Sequence, residues 1–176
     1  YEILIENDGN NFIYAPLVNY ADHTFSVCKK MLDDKNAIMG LGDGGAHVGF
    51  ILDAGYPTWL ISYWSVKKKA YSMEETVRRL TSDTANAAGL NDRGLLKVGL
   101  KADINIIDWE NVGSSDPFMT QDLPAGGKRL MQYTKGYVTT IVSGKVTYKN
   151  GKFTKERPGT VVKSVKDEEK TLEFIN

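Results

Sequence analysis

Short apolar runs alternate with amphipathic stretches at the beginning of the chain. NFIYAPL (11–17) combines aromatic and aliphatic residues up to Pro16, which is typical of a strand. ADHTFSVCKKMLDD (21–34) carries apolar residues at helical spacing, with Asp22 as the candidate N-cap. AIMGLG (37–42) is apolar without alternation, as in a strand buried on both faces. The order strand, helix, strand predicts a βαβ unit, whose parallel strands end where α/β proteins place their ligands.

Helical periodicity continues downstream in the segments 57–70, 72–80 and 82–90. In the second segment, Ser72 and Glu75 form a capping-box pattern, and Val77 and Leu80 mark the predicted buried face. In the third segment, Gly89 occupies the position that commonly ends a helix. The first part of the chain is therefore predicted to be of the α/β class.

After Gly99 the pattern changes from helical to alternating. ADINIID (102–108) alternates like a strand, and GYVTTIVSGKVTYKNGKF (136–153) places Ser143-Gly144 and Asn150-Gly151 between alternating runs. Such dipeptides predict tight hairpin turns and hence an antiparallel sheet. The predicted organisation is an α/β part, a small antiparallel β part and a charged tail, at 1–90, 91–162 and 163–176.

Composition and charge exclude several classes of protein. Lys+Arg and Asp+Glu both total 22, so no net positive field attracts nucleic acid or an anionic membrane. The single cysteine, Cys28, rules out an internal disulfide framework and CxxC zinc sites, and its place on an apolar helical stripe predicts a core position. No apolar stretch approaches the roughly 20 residues that span a bilayer. We expect a soluble protein of a reducing compartment, the cytoplasm.

A glycine-rich stretch, NAIMGLGDGGAHVG (36–49), ends the predicted βαβ unit. Gly40, Gly42 and Gly45 match G-x-G-x-x-G, the letters of a dinucleotide-binding fingerprint. That fingerprint needs a helix at once and then a strand with an acidic residue about 20 positions on. Here further breakers follow, and then a helical pattern. The stretch therefore argues weakly for nucleotide or anion binding, and it directs attention to Asp43.

Asp43 has two interpretations from its position alone. It is either a turn or N-cap residue, as most aspartates in glycine-rich turns are, or a catalytic carboxylate at the end of a strand. The neighbouring His47 is more typical of a hydrogen-bonded structural residue than of a metal ligand. With two histidines, His23 and His47, the sequence assembles no complete histidine-based metal site. No G-x-S-x-G elbow supports a Ser-His-Asp triad.

Several segments form a recognisable series when they are taken in order. GLGDGGAHVG (40–49) resembles a GLSDGGAH-type motif, and the stretch at 81–108 contains GLLKVGLKAD, of the form G-x-L-x-x-G-x-x-A-D. DLPAGGKRL, TIVSGKVTYKNGKF and RPGTVV follow at 122–130, 140–153 and 157–162. In this order they resemble the amidohydrolase superfamily and, within it, the D-aminoacylase (N-acyl-D-amino-acid deacylase) family.

The resemblance implies a fold and a position within it. It implies a (β/α)8 barrel followed by a small β-sandwich, of which this chain is the C-terminal part. Residues 1–90 would then be the last βα units of an incomplete barrel, and 91–162 the β domain. A complete barrel needs about 250 residues. The chain also opens with YEILIENDGN, without methionine or a signal peptide, so we expect a piece of a longer protein.

The resemblance also implies a chemistry for the glycine-rich stretch. In the family, zinc holds a water that attacks an amide carbonyl, and the aspartate after the last strand shuttles the proton. Asp43 matches that aspartate, and Gly44 and His47 would lie on the substrate side. Gly42 stands where the family commonly has serine. The family's metal ligands come from earlier strands, and Cys28 is no stand-in, so we expect this chain alone to bind no zinc.

Two functions follow as hypotheses. The first is a metal-dependent amidohydrolase that cleaves N-acyl-D-amino acids or similar amides, with Asp43 as general base and acid. The second is a non-catalytic module that lacks the metal site and associates with itself through unpaired strand edges and apolar surface. The expected partners are a small N-acyl amino acid, and either another copy of the chain or the missing N-terminal portion.

Overall fold

Helices largely precede strands along the chain, which the computed structural model describes over residues 1–14, 19–20, 22–40 and 42–163. The chain divides into two compact units, Tyr1–Ile38 and Met39–Asn176. The first unit contains the helices α1 (Glu2–Gly9) and α2 (Ser26–Leu32).

The second unit begins with a strand, continues through helices and ends in sheets. Its helical segments are α3 (Tyr56–Trp59), a π-helix (Leu60–Lys67), α4 (Met73–Leu80), α5 (Ser82–Ala87) and a 3-10 turn (Pro124–Gly126). Its strands are β1 (Gly44–His47), β2 (Ile104–Ile107), β3 (Gly113–Ser114), β4 (Phe118–Leu123), β5 (Gly127–Met131), β6 (Thr134–Lys135), β7 (Tyr137–Val142), β8 (Lys145–Lys149) and β9 (Lys152–Phe153).

The strands after the helices form small antiparallel sheets. One sheet has the order β2-β7-β8-β9, and β3–β6 and β4–β5 form separate pairs. Both predicted hairpin turns are confirmed, because Val142 pairs with Lys145 and Lys149 pairs with Lys152 around them. The chain is thus mixed α/β, and the strands described here close no barrel.

The two strands of the predicted βαβ unit are absent from the residues that the structure describes there. Residues 11–14 and 37–40 are irregular, while 15–18 and 41 lie outside the described residues. Ile13 and Ile38 are more than half exposed, so these apolar runs are not covered as a doubly buried strand would be. A strand needs hydrogen-bonded neighbours that its own sequence does not supply. The strand in this region lies further on, at Gly44–His47.

Helix α2 is shorter than the pattern predicts. It begins at Ser26 with Phe25 as N-cap, so the prediction of Asp22 as N-cap is wrong. The Asp22 carboxylate instead accepts hydrogen bonds from the Thr24 amide (3.1 Å) and from the Thr24 and Ser26 hydroxyls. These bonds hold the turn before the helix, and the hydroxyl bonds lower the pKa of Asp22. Cys28 is half-buried, and its thiol donates to the Asn19 carbonyl.

The core of the second unit gathers around the π-helix. Trp64 lies there edge-on to Trp59 and Tyr63, with ring centroids 5.7 and 5.1 Å away. The buried apolar residues among those described are Leu60, Ile61, Trp64, Tyr71, Ala85 and Val112. Val77, predicted to be buried, is 42% exposed, because its face of α4 borders an open cavity of about 880 Å³.

Asp103 connects the helical part of the second unit to the four-stranded sheet. Its carboxylate accepts a hydrogen bond from the Arg93 guanidinium (2.8 Å) and another from the Ser143 amide (2.8 Å). Arg93 also binds Asp92, and this hydrogen bond lowers the pKa of the Asp92 carboxyl. The aspartate of the G-x-L-x-x-G-x-x-A-D motif therefore holds the β7–β8 turn against the residues that leave α5.

The beginning of α4 and the end of α5 are fixed by hydrogen bonds between residues close together in the sequence. The Gly89 amide donates to Asn86 and the Leu90 amide to Ala85, which is the Schellman arrangement that a glycine at this position predicts. The Ser72 hydroxyl accepts from the Glu75 amide at 3.1 Å, so the predicted cap is confirmed. The Glu75 side chain turns instead to Arg79.

Replacing Ser72 with alanine is expected to lower the free energy of unfolding by about 1 kcal/mol, because the Glu75 amide loses its acceptor. Urea unfolding followed by circular dichroism measures the change. Ser114→Ala, at an exposed position of β3, is the control and should stay within about 0.5 kcal/mol of the unaltered chain. Equal losses in the two variants would show that the cap contributes nothing specific.

Candidate functional site

The glycine-rich stretch forms a short exposed strand with a turn at each end. The Ala46 amide donates to the Asp43 carbonyl, and the amides of Phe50 and Ile51 donate to the His47 carbonyl. The Leu130 amide of β5 donates to the Val48 carbonyl at 2.7 Å. The stretch is thereby tied to the β part of the same unit while its side chains stay exposed.

Asp43 lies immediately before β1 and is exposed. Its backbone amide donates to the carboxylate Oδ2 of Asp53 at 2.8 Å. In the part of the chain that the structure describes, no hydrogen-bond donor holds the Asp43 carboxylate itself. The side chain is therefore accessible to a ligand, while the main chain from which it projects is held in place.

Gly42 and Gly44 pack closely against the segment that follows β1. A Cβ on Gly42 would lie 2.5 Å from the Asp53 carbonyl oxygen, and one on Gly44 would lie 2.6 Å from the Ala54 Cβ. Both distances are far below van der Waals contact, so a side chain at either position would push the two segments apart. In this structure a serine at position 42 would not fit, which accounts for Gly42 where the resembling motif commonly has serine.

His47 lies at the end of β1 and is exposed. Its ring stacks on the Phe50 ring at a centroid distance of 5.1 Å, and its φ is +46°. A histidine in the left-handed region is uncommon. Here the conformation belongs to the tight turn in which the His47 carbonyl accepts hydrogen bonds from the Phe50 and Ile51 amides. The structure therefore brings Asp43, Gly44 and His47 together on one short segment.

Asp53 is a site residue that sequence reasoning missed. It stands ten positions after Asp43, in an exposed turn that leads into α3. The local signal was an aspartate two positions before Gly55, ahead of a helix with Pro57 in its first turn, which is a pattern common to ordinary turns. Its hydrogen bond to Asp43 could not be read from that pattern.

The glycine-rich stretch does not adopt the strand-turn-helix structure that a dinucleotide-binding fingerprint requires. After Gly42 the chain continues as β1, and the next helix begins at Tyr56. Along the described residues, therefore, no helix begins directly after the glycines, as the fingerprint requires.

Over the described ranges, no group of three or more His, Cys, Asp or Glu side chains could hold a metal ion. His23 belongs to the first unit and His47 to the second. The donors among the described residues do not fit a zinc centre.

The cavity beside α4 is not lined by the candidate site residues, although Met39 and Tyr56 line it. Helix α4, the residues after α5 and strand β2 form its walls, and Asp43 and His47 are not among its lining residues. None of the helices in the described ranges has the length and apolar character to cross a bilayer.

Comparison with known proteins places this chain in a family. Residues 15–148 match the family model of the amidohydrolase family. The chain belongs to the amidohydrolase family. It is also 33% identical over 89 residues to a dihydroorotase of Lactobacillus acidophilus, which covers 48% of this chain and 20% of that protein. No solved structure matches the chain significantly.

The match covers a small part of the relative. The chain spans about one fifth of the length of the curated relative that it matches. Amidohydrolases are in general metal-dependent hydrolases. The division into residues 1–90, 91–162 and 163–176 stays a prediction, and residues 164–176 lie outside the described ranges.

Proposed function

We propose that this chain supplies the catalytic carboxylate, Asp43, of a metal-dependent amidohydrolase that cleaves the N-acyl amide bond of N-acyl-D-amino acids. The observation that carries the proposal is the form of the segment around Asp43. Its main chain is held by the hydrogen bond to Asp53, and its carboxylate is exposed. A group that shuttles protons needs both a fixed position and access to the reacting atoms.

In the proposed reaction, the Asp43 carboxylate accepts a proton from the water that attacks the amide carbonyl. It then donates the same proton to the nitrogen of the departing amine, so that the carboxylate is regenerated. A metal bound in the complete protein would polarise the carbonyl and make the water more acidic. Gly44 would contact the substrate only through its backbone, because its Cβ side packs against Ala54. The exposed His47 ring would contact the acyl amino acid.

The metal ligands of the proposed enzyme come from polypeptide outside this sequence. The described residues hold no group that could form the centre, and the curated relative is about five times longer than the part matched. We therefore expect no turnover from the 176 residues alone. Zinc is the proposed metal, the missing portion is the proposed partner and the cytoplasm is the proposed compartment.

A second candidate function is a non-catalytic module that associates with itself. The observation in its favour is apolar exposure near the cavity, where Leu96 is 85% and Val98 is 100% exposed. Burial of such surface against another copy would stabilise an oligomer. This candidate predicts a stable assembly of this chain with neither zinc nor hydrolysis.

The first experiment is to purify the protein from its own organism and to measure its intact mass, its zinc content and its hydrolysis of amides. Substrates should include N-acetyl-D-amino acids, their L-enantiomers and, because of the matched relative, dihydroorotate. Zinc in a longer chain together with preferential release of D-amino acids would support the proposal.

The other outcomes separate the alternatives. Turnover of dihydroorotate alone would retain an amidohydrolase and reject the N-acyl-D-amino acid substrate. A self-associated chain of 19.5 kDa subunits, with neither zinc nor turnover, would reject the catalytic function and support the module. Hydrolysis by the isolated chain with added zinc would contradict the expectation that its metal ligands lie elsewhere.

A further inference from the structure

The position of Asp43 depends on a segment that no motif marks. Asp53 and Ala54 lie against the glycine-rich stretch, on the two sides of Asp43. Position 42 has no room for a Cβ beside the Asp53 carbonyl (2.5 Å), and position 44 has none beside the Ala54 Cβ (2.6 Å). The backbone on either side of Asp43 is therefore seated on this turn.

One hydrogen bond also fixes the orientation of the backbone at Asp43. The Asp43 amide donates to the Asp53 carboxylate over 2.8 Å. Hydrogen bonds to an ionised acceptor are about twice as strong as neutral ones. Because the amide direction sets the peptide plane before Asp43, the bond also restrains the direction of the Asp43 Cα–Cβ bond. The Asp53 carboxylate thus restrains the backbone that carries the Asp43 carboxylate.

We propose that Asp53 is a positioning residue for Asp43, acting through the backbone amide and not through the reacting atoms. The proposal rests on the function proposed above. Asp53 places the proton-shuttling carboxylate at a fixed distance from substrate, and Gly42 and Gly44 are required because the two segments must touch for the bond to form. Misplacement of a catalytic group by about 1 Å can reduce the rate by about 10²-fold.

The hydrogen bond is tested first in the full 176-residue chain, without any assay of activity. Nuclear magnetic resonance reports the chemical shift and hydrogen exchange of the Asp43 amide. Asp53→Ala should move that signal and speed its exchange about tenfold or more, because the bond to a charged acceptor is lost. Asp53→Asn keeps a carbonyl acceptor and should give an intermediate effect. An Asp43 amide that exchanges freely in the unaltered chain would overturn the proposal.

A matched control exists in the other unit. The Asp34 carboxylate accepts the Asn36 amide at the same 2.8 Å. Asp34→Ala should move the Asn36 signal and leave the Asp43 signal in place. If it disturbed the Asp43 amide as much as Asp53→Ala does, the effect would be general destabilisation, and the assignment to Asp53 would fail.

The catalytic consequence is measured in the complete, active protein. Asp53→Ala should lower kcat about 10- to 100-fold with KM within about twofold, and Asp53→Asn should recover most of the loss. Unchanged kcat in Asp53→Ala, in a protein that Asp43→Asn inactivates, would overturn the positioning role and leave the proposed function standing. Full activity of Asp43→Asn would reject the proposed function instead.

Discussion

Replacing Asp43 with asparagine in the complete, active protein is expected to lower kcat by about 10²- to 10⁴-fold. Asparagine has nearly the same shape, but it cannot accept a proton from water and return it to the leaving amine. The structural bond at this position uses the backbone amide of residue 43, which the substitution retains. The variant therefore separates chemistry from folding, and it should unfold at the same urea concentration as the unaltered protein.

The measurement is steady-state hydrolysis of the best substrate from the panel above, with zinc content determined in parallel. Asp116→Asn is the control, since Asp116 is an exposed aspartate in the loop before β4. It removes the same charge and should retain activity within about twofold. If Asp43→Asn were as active as this control, Asp43 would be an ordinary turn residue.

Replacing Gly136 with alanine is expected to lower the free energy of unfolding by about 2–5 kcal/mol. Gly136 lies between β6 and β7 with a φ of +87°, which costs an L-residue about 1–2 kcal/mol. A Cβ there would also lie 2.6 Å from the Val112 Cα and 2.9 Å from its nitrogen. Val112 is buried, so relief requires the backbone itself to shift, and overpacking of this kind costs about 1–3 kcal/mol more.

Gly151→Ala separates these two contributions. Gly151 has a similar φ of +74°, but no atom lies within 4 Å of the position that its Cβ would take. Only the conformational cost remains, so a loss of about 1–2 kcal/mol is expected. Urea unfolding of both variants measures the difference. Equal losses would mean that the contact of Gly136 with Val112 is looser than the structure has it.

Several elements could be predicted because their causes are local. The Ser72 cap and the Gly89 termination involve residues within a few positions of each other, as do the turns at Ser143-Gly144 and Asn150-Gly151. Each is fixed by the conformational preference of one or two residues. The antiparallel sheet then follows from those turns and from the alternation of the flanking strands.

Other predictions were wrong because burial was inferred from apolar character alone. Ile13 and Ile38 lie in apolar runs that predict buried strands, and Val77 lies in an apolar stripe that predicts a buried helix face. In the structure all three are substantially exposed. Whether an apolar residue is covered depends on which other element reaches it, and periodicity holds no information about that.

The sequence by itself predicted the amidohydrolase family and the turns of the β part, and it singled out Asp43, Gly44 and His47 as candidate site residues. Only the tertiary structure decided that Asp53 holds the Asp43 amide, that Gly42 has no room for a side chain, and that Asp103 joins Arg93 to the Ser143 turn. The physical reason is the same in each case. A motif records residues that are adjacent in the chain, whereas these contacts join residues 10 to 40 positions apart, and folding alone brings them within hydrogen-bonding distance.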